Sequence, residues 1–371
     1  LAVQGLLEGA SQRRAGAIAS VIGSITFLVA ATGAFLELQM ALNTIWRVKV
    51  RAGVSVKAFL LDRLRSFGLV VAVGFLLLVS LAVTAALAAL NERLVDARQS
   101  TRCRGFHQFG NRVFKCTHVH GNVDLHKSIV ESCNVYYYQL GERIGMDRIA
   151  KIGLEFGFGQ KTGLGTNPEA AGRMPTRAWY AQHYRQFRQG FTLNAAIGQG
   201  ATTVSVLQLA LAYAALANGG TLYEPQIVRA VETADGTIVQ DFSPRVRRRV
   251  AARSEDLTLI KRALWEVVNS DRGTAYRERL PGIDVAGKTG TAQNPHGKDH
   301  AVFVCFAPME DPKIAMAVYV ENSGFGGTWA APIASLLMEQ YLTDTITRPD
   351  VEKKMLEADL IATEKNYKPF V

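Results

Sequence analysis

Residues 67–90 run for 24 positions without a charged side chain. A helix that is apolar on every face has no side left for water, so lipid or protein must enclose it. At about 1.5 Å rise per residue the run can cross a hydrocarbon layer of about 30 Å, and globular helices seldom extend so far without a polar stripe. A transmembrane helix over 67–90 is therefore expected, with a second, weakened by Gly, Ser and Thr, over residues 15–36. The alternative is a pair of buried core helices. Residues 47–65, between the two runs, carry Arg47, Lys49, Arg51, Lys57, Arg63 and Arg65 against a single acid, Asp62. The positive-inside rule makes residues 47–65 cytoplasmic and sends the chain after Leu90 to the outer side. This loop accounts for much of the net charge of +10, so no nucleic-acid partner is needed. The other basic cluster, residues 245–249, reads as a solvated loop near the membrane surface.

The N-terminal residues carry a resemblance of their own. Gly16, Ala31-Thr32-Gly33, Leu42-Asn43-Thr44-Ile45-Trp46, Arg63, Ser66 and Phe75-Leu76-Leu77-Leu78-Val79-Ser80-Leu81 are similar to the YihY/BrkB family of bacterial inner-membrane proteins. The resemblance implies an interior fragment of a longer membrane protein, and Leu1 in place of Met fits a missing start. Residues 1–100 contain neither a catalytic constellation nor a signal-peptide cleavage pattern.

Chemistry is concentrated in Asp284-Val285-Ala286-Gly287-Lys288-Thr289-Gly290-Thr291-Ala292-Gln293. A lysine, two threonine hydroxyls and glycines that let a ligand approach the backbone can hold an anion. Residues 282–289 satisfy the phosphate-loop pattern letter for letter. That loop requires a buried strand before it and a helix after it, so that backbone N–H groups converge on phosphate. Arg277-Glu278-Arg279-Leu280-Pro281 and Asn294-Pro295-His296-Gly297 supply neither. A strand edging a cleft fits better, because residues 300–308 and 313–321 read as two more strands around a turn at 309–312, an antiparallel meander. A helix follows over 330–342, with Pro332 in its first turn.

Upstream, Asp124 signals a helix start, and Ser132-Cys133-Asn134 sits at a corner before a helix over 135–145. By themselves Ser132 and Asn134 are ordinary capping residues. Asp147 is expected to cap a third helix ending at Gly157. A helix over 204–217 follows Gly198-Gln199-Gly200. Strands at 221–228 and 234–239 are expected to pair through Asp235-Gly236, and Ser254 to cap a helix over 255–269. Cys103, Cys116, Cys133 and Cys305 lack metal-ligand spacing and neither require nor exclude a disulfide. No metal or cofactor is expected.

Taken in order, Ser132-Cys133-Asn134, Gly198-Gln199-Gly200, Ala217-Asn218-Gly219-Gly220, Gly273-Thr274-Ala275, Lys288-Thr289-Gly290-Thr291-Ala292-Gln293 and Val320-Glu321-Asn322 resemble the transpeptidase domain of class B penicillin-binding proteins. Tyr136-Tyr137-Tyr138 and His300 are most similar to the penicillin-binding protein 2 subfamily of cell-wall elongation. The resemblance implies an α/β penicillin-binding transpeptidase fold, serine β-lactamase-like, with an antiparallel sheet and a helical cluster over residues 105–345. Before it stand a membrane segment at 1–90 and a junction at 91–104, and after it a polar tail at 346–371.

By the same resemblance Ser132 is a proton relay and Lys288 its electrostatic partner. Asn134, Thr289, Gly290 and Thr291 bind substrate, a peptidoglycan stem peptide ending in D-Ala-D-Ala. The nucleophile motif S-x-x-K is absent, since no serine in the chain has a lysine three places on. The expected fold is therefore incomplete, and the expected D,D-transpeptidase is inactive, holding β-lactams non-covalently at most. The implied location is the inner membrane, with the C-terminal domain periplasmic and elongation proteins as partners. A membrane-anchored cell-wall binder, or a YihY/BrkB-like protein fused to a passenger by misassembly, are the alternatives.

Overall fold

The structure is a computed structural model, and it describes residues 79–360 apart from 166–168 and 295–296. The expected span at 15–36, the basic loop at 47–65 and the YihY/BrkB-like residues before 79 lie outside the described part. Among the described residues no helix is long and apolar enough to cross a membrane.

The described end of the long apolar run is helix α1, Val79–Asn91. It is enclosed by protein. Ala85, Ala86, Leu87 and Ala89 are each 0% exposed, and the helix packs most heavily against the helices Asn134–Ile144, Met146–Glu155 and Ser254–Asn269 of the same unit. Its alanines bring the neighbouring helices close, and Leu87 fills the space between them. The membrane reading of residues 82–90 is thereby corrected: the apolar surface that suggested lipid is buried in a protein core. Its C-terminal end is tied down by Arg253, whose guanidinium donates to Leu90 O at 3.4 Å.

Strands β1 (Thr101–Cys103), β2 (Phe106–Phe109), β3 (Arg112–Lys115) and β4 (Gly121–Val123) form two small antiparallel pairs, β1 with β4 and β2 with β3. Helix α2 (Leu125–Val130) starts where Asp124 accepts from Lys127 N–H at 2.8 Å, as its sequence indicates. Helices α3 (Asn134–Ile144) and α4 (Met146–Glu155) follow. Asp147 does not cap α4. Gly145 occupies that position, and the Asp147 carboxylate accepts from Arg177 N–H at 2.8 Å, at the start of α5 (Arg177–His183). Helix α6 (Gln189–Ala196) leads to α7 (Val206–Ala217), which opens on a reciprocal Ser205/Gln208 capping box.

Strand pairing after α7 differs from expectation. β5 (Thr221–Tyr223) pairs with β8 (Val246–Arg249), while the Asp235-Gly236 turn joins β6 (Ala230–Glu232) to β7 (Ile238–Asp241). All of the basic cluster but Arg245 therefore lies in a strand. Arg248 donates to Leu154 O at 3.0 Å and to Gln160 Oε1 at 2.7 Å, and Arg247 to Lys161 O at 2.9 Å. These two arginines clamp the carbonyls that end α4 and start the next loop, which corrects the solvated-loop reading.

Helix α8 (Ser254–Asn269) packs on β9 (Ala286–Ala292), which pairs antiparallel with β10 (His300–Ala307), and β10 with β11 (Ile314–Val320). Lys288 stands mid-strand with no helix after it, so the phosphate-loop match is accidental. At Gly287 an added Cβ would lie 2.7 Å from the Phe303 ring and 2.8 Å from Cys305 Cβ, so only glycine fits there. Helices α7 and α9 (Ala330–Thr343) cover the sheet. Every residue of β10 is buried, whereas every residue of β11 is half-buried. Among the described residues β11 has no second neighbour, which leaves an apolar edge open. The described part of the polar tail is held to the domain: Arg348 donates to Glu339 Oε2 at 3.1 Å ahead of α10 (Pro349–Leu356).

Candidate functional site

The corner between α2 and α3 is closed by Cys133 N–H donating to Ser128 O at 3.0 Å, and Ser132 takes a left-handed backbone, φ +57°. Capping does not use Ser132. The residue before α3 is Cys133, which makes no side-chain cap bond, so the Ser132 hydroxyl is available to the opposite wall. There Lys288 Nζ lies 2.9 Å from Ser132 Oγ and 3.1 Å from the Thr289 carbonyl. One cleft of about 900 Å³ is lined by all six predicted residues, Ser132, Asn134, Lys288, Thr289, Gly290 and Thr291.

Several lining groups were not assigned a role from sequence. Thr274 exchanges a hydrogen bond of 2.6 Å with the Thr289 hydroxyl, orienting it. The Gly326 bend closes over β9 so tightly that a Cβ there would lie 2.4 Å from Gly290 O and 2.2 Å from Val302 O. Ala82 brings the N-terminal part of α1 to the same cleft. His300 Nδ1 accepts from Asn322 N–H at 3.0 Å, and Asn294 donates to Asn322 Oδ1 at 2.7 Å, which ties the entry of β10 to the end of β11.

Lys288 is 2% exposed and has no ion pair among the described residues. Burial alone pulls its pKa from 10.5 down to about 7. Between about pH 7 and 10.5 the unfolded chain carries a proton on this amine that the folded chain has released, so stability rises with pH across that window. Below about 7 the full cost of burying the ammonium is present, on the order of 5 kcal/mol. Lys288→Met is accordingly expected to melt higher than the parent at pH 7 and to lose the climb in stability between pH 7 and 10. Thermal melts across that range would refute this if the two proteins showed the same slope.

A second cluster lies behind the first. Cys103, Cys116 and Cys133 sulfurs and a His120 ring nitrogen all lie within 4.8 Å of one another. His120 Nδ1 is 3.5 Å from both Cys103 Sγ and Cys116 Sγ, while Nε2 lies 3.2 Å from Glu131 O. A proton on Nε2, donated to that carbonyl, leaves the Nδ1 lone pair turned toward the sulfurs. Tetrahedral Zn²⁺ in a Cys₃His shell holds its donors about 3.7 Å apart, so a small contraction would complete such a site. The reading of no metal rested on spacing. Ligands from β1, from the residue after β3, from the loop before β4 and from the α2–α3 corner have no short repeat in sequence, and only the fold gathers them. Cys133 adjoins Ser132, so the cluster also anchors the corner that presents the relay serine.

Comparison with known proteins follows the same geometry. The model of the penicillin binding protein transpeptidase domain matches residues 83–339. The chain belongs to the penicillin-binding protein transpeptidase family. The match starts inside α1, in agreement with that helix being part of the transpeptidase core. Among curated relatives, peptidoglycan D,D-transpeptidase MrdA of Haemophilus influenzae is 36% identical over 258 residues, 63% of this chain and 38% of the relative. Stage V sporulation protein D of Bacillus subtilis is 35% identical over 249 residues, covering 63% and 37%. The chain thus spans less than two-fifths of the length of either. Among solved structures, Pseudomonas aeruginosa PBP2 in complex with WCK 5153 superposes with a TM-score of 0.64 at 34% identity, over 72% of this chain and 59% of that one. Helicobacter pylori PBP2, solved as a complex with MreC, gives 0.63 at 28% identity, over 72% and 50%.

Proposed function

We propose that the transpeptidase domain recognises the D-Ala-D-Ala end of peptidoglycan stem peptides, and β-lactams that imitate it, by laying them along β9. The single observation that carries this reading is the Ser132–Lys288 contact at the floor of a cleft edged by Thr289, Gly290 and Thr291. Lys288 and the threonine hydroxyls supply charge and donors for a terminal carboxylate, Gly290 lets the substrate backbone approach, and Asn134 donates to its amide. Ser132 stands beside the bound carbonyl as a proton relay. The chain has no S-x-x-K, so a ligand seated on β9 meets no serine activated in that way, and β-lactams bind reversibly. A substrate of this kind places the domain outside the cytoplasmic membrane. Elongation partners of the kind seen with the Helicobacter relative are part of the same proposal.

Equilibrium titration of the full chain with a fluorescent penicillin tests the reading. Saturable binding that is competed by a D-Ala-D-Ala peptide and lost on denaturing gels is expected. Lys288→Met should weaken it tenfold or more, about 1.5–3 kcal/mol for a charge-assisted hydrogen bond. Unaltered affinity in that variant would remove the assignment.

A further inference from the structure

We propose that Ser132 and Lys288 form a serine–lysine dyad that attacks small activated acyl or phosphonyl compounds, with Ser132 as nucleophile. The reading uses the cleft described above but goes beyond recognition, because it assigns a covalent step to a residue placed there as a relay.

Three observations converge on it. Ser132 Oγ is 2.9 Å from an amine, within reach for direct proton transfer. That amine is buried and lacks a carboxylate partner among the described residues, so nothing nearby holds it in the ammonium form. When neutral, it offers its lone pair to the serine hydroxyl, while the Thr289 carbonyl, 3.1 Å away, fixes its direction. Finally, Ser132 sits on a turn with φ +57°, not within a helix, and it lines the same cleft as Asn134, Gln199 and Thr291, residue types whose side chains can donate to a developing oxyanion.

With a small carboxylic ester, the Ser132 Oγ–carbonyl carbon bond forms as the hydroxyl proton passes to Lys288 Nζ. The carbonyl-to-leaving-oxygen bond breaks, and the leaving alkoxide takes that proton. Water, deprotonated by the same amine, then cleaves the acyl-serine. A stem peptide or β-lactam laid along β9 presents its carbonyl to one side of Ser132, so this chemistry is confined to small molecules that enter the cleft without that alignment.

The probe is an alkyl fluorophosphonate, whose phosphorus bonds to the serine oxygen as fluoride leaves. Intact-mass spectrometry of the full chain should show a single adduct, and peptide mapping should place it on Ser132. Labelling should vanish in Ser132→Ala and slow about 100-fold in Lys288→Met, the scale of a lost general base. In the unaltered chain the rate should rise about tenfold per pH unit up to about 7 and then level off, a readout that needs no variant to fold. An adduct elsewhere, no adduct, or a rate independent of pH between 5 and 8 would overturn the dyad. Reversible penicillin binding without an adduct would overturn the dyad alone, whereas loss of both would also remove the proposed function.

Discussion

Zinc added to the reduced, purified chain is expected to bind at one ion per chain, and its removal to lower the melting temperature by about 8–16 °C. The first figure follows from the single cluster of three sulfurs and one imidazole found among the described residues. The second follows from linkage, since a ligand at about a thousand times its dissociation constant stabilises by about 4 kcal/mol. In a domain of this size each kcal/mol moves the midpoint by about 2–4 °C. The loss should be cooperative, because Cys133 lies in the corner between α2 and α3, and Cys103 at the end of β1. Cys133→Ser should abolish stoichiometric zinc. Cys305→Ser should keep it, because Cys305 faces Met338 in the core, with its Sγ 3.8 Å from the Met338 sulfur. Elemental analysis with melts in the presence and absence of chelator decides the matter: stoichiometry near zero, or a melt indifferent to chelator, would show that the four side chains hold no ion. The cluster also has consequences for the site. Within it, Cys133 S–H donates to Cys116, which holds the Cys116 thiol well below its ordinary range, at about 4, and pushes that of Cys133 up. A metal would take both as thiolates.

Leu87→Ala is expected to destabilise the transpeptidase unit by about 2–5 kcal/mol, the cost of removing buried methyl groups and leaving a cavity. Leu87 is 0% exposed at the centre of α1, among helices that cannot close over the gap without moving the sheet they carry. A drop of about 10 °C in the midpoint follows for a domain of this size. A lipid-embedded residue would behave otherwise, since its truncation leaves the fold of a neighbouring domain untouched. Chemical or thermal denaturation followed by near-UV circular dichroism separates the two, and an unchanged midpoint would return residues 82–90 to the membrane. Ala82, earlier in the same helix, lines the cleft and makes the helix part of both core and site.

Much of the site was legible in the sequence because its elements announce themselves locally. Two apolar runs and the turn between them fix β10 and β11, and Asp124 fixes a helix start. Motif order then brought Ser132, Asn134 and the Lys288-Thr289-Gly290-Thr291 run to one cleft. What failed had no local signal. An uncharged helix satisfies lipid and a protein core equally well, so composition could not decide where α1 lies; the helices and the sheet around it did. Arg247 and Arg248 look solvated until the carbonyls ending α4 come within reach. The sulfurs of Cys103, Cys116 and Cys133 are scattered along the chain, and their meeting with His120 depends on two strand pairs and a helix corner folding together. Local propensity and motif chemistry are properties of neighbouring residues and can be read in line. Burial, long-range hydrogen bonds and a ligand shell depend on what the fold places beside each residue, and those were decided only by the tertiary structure.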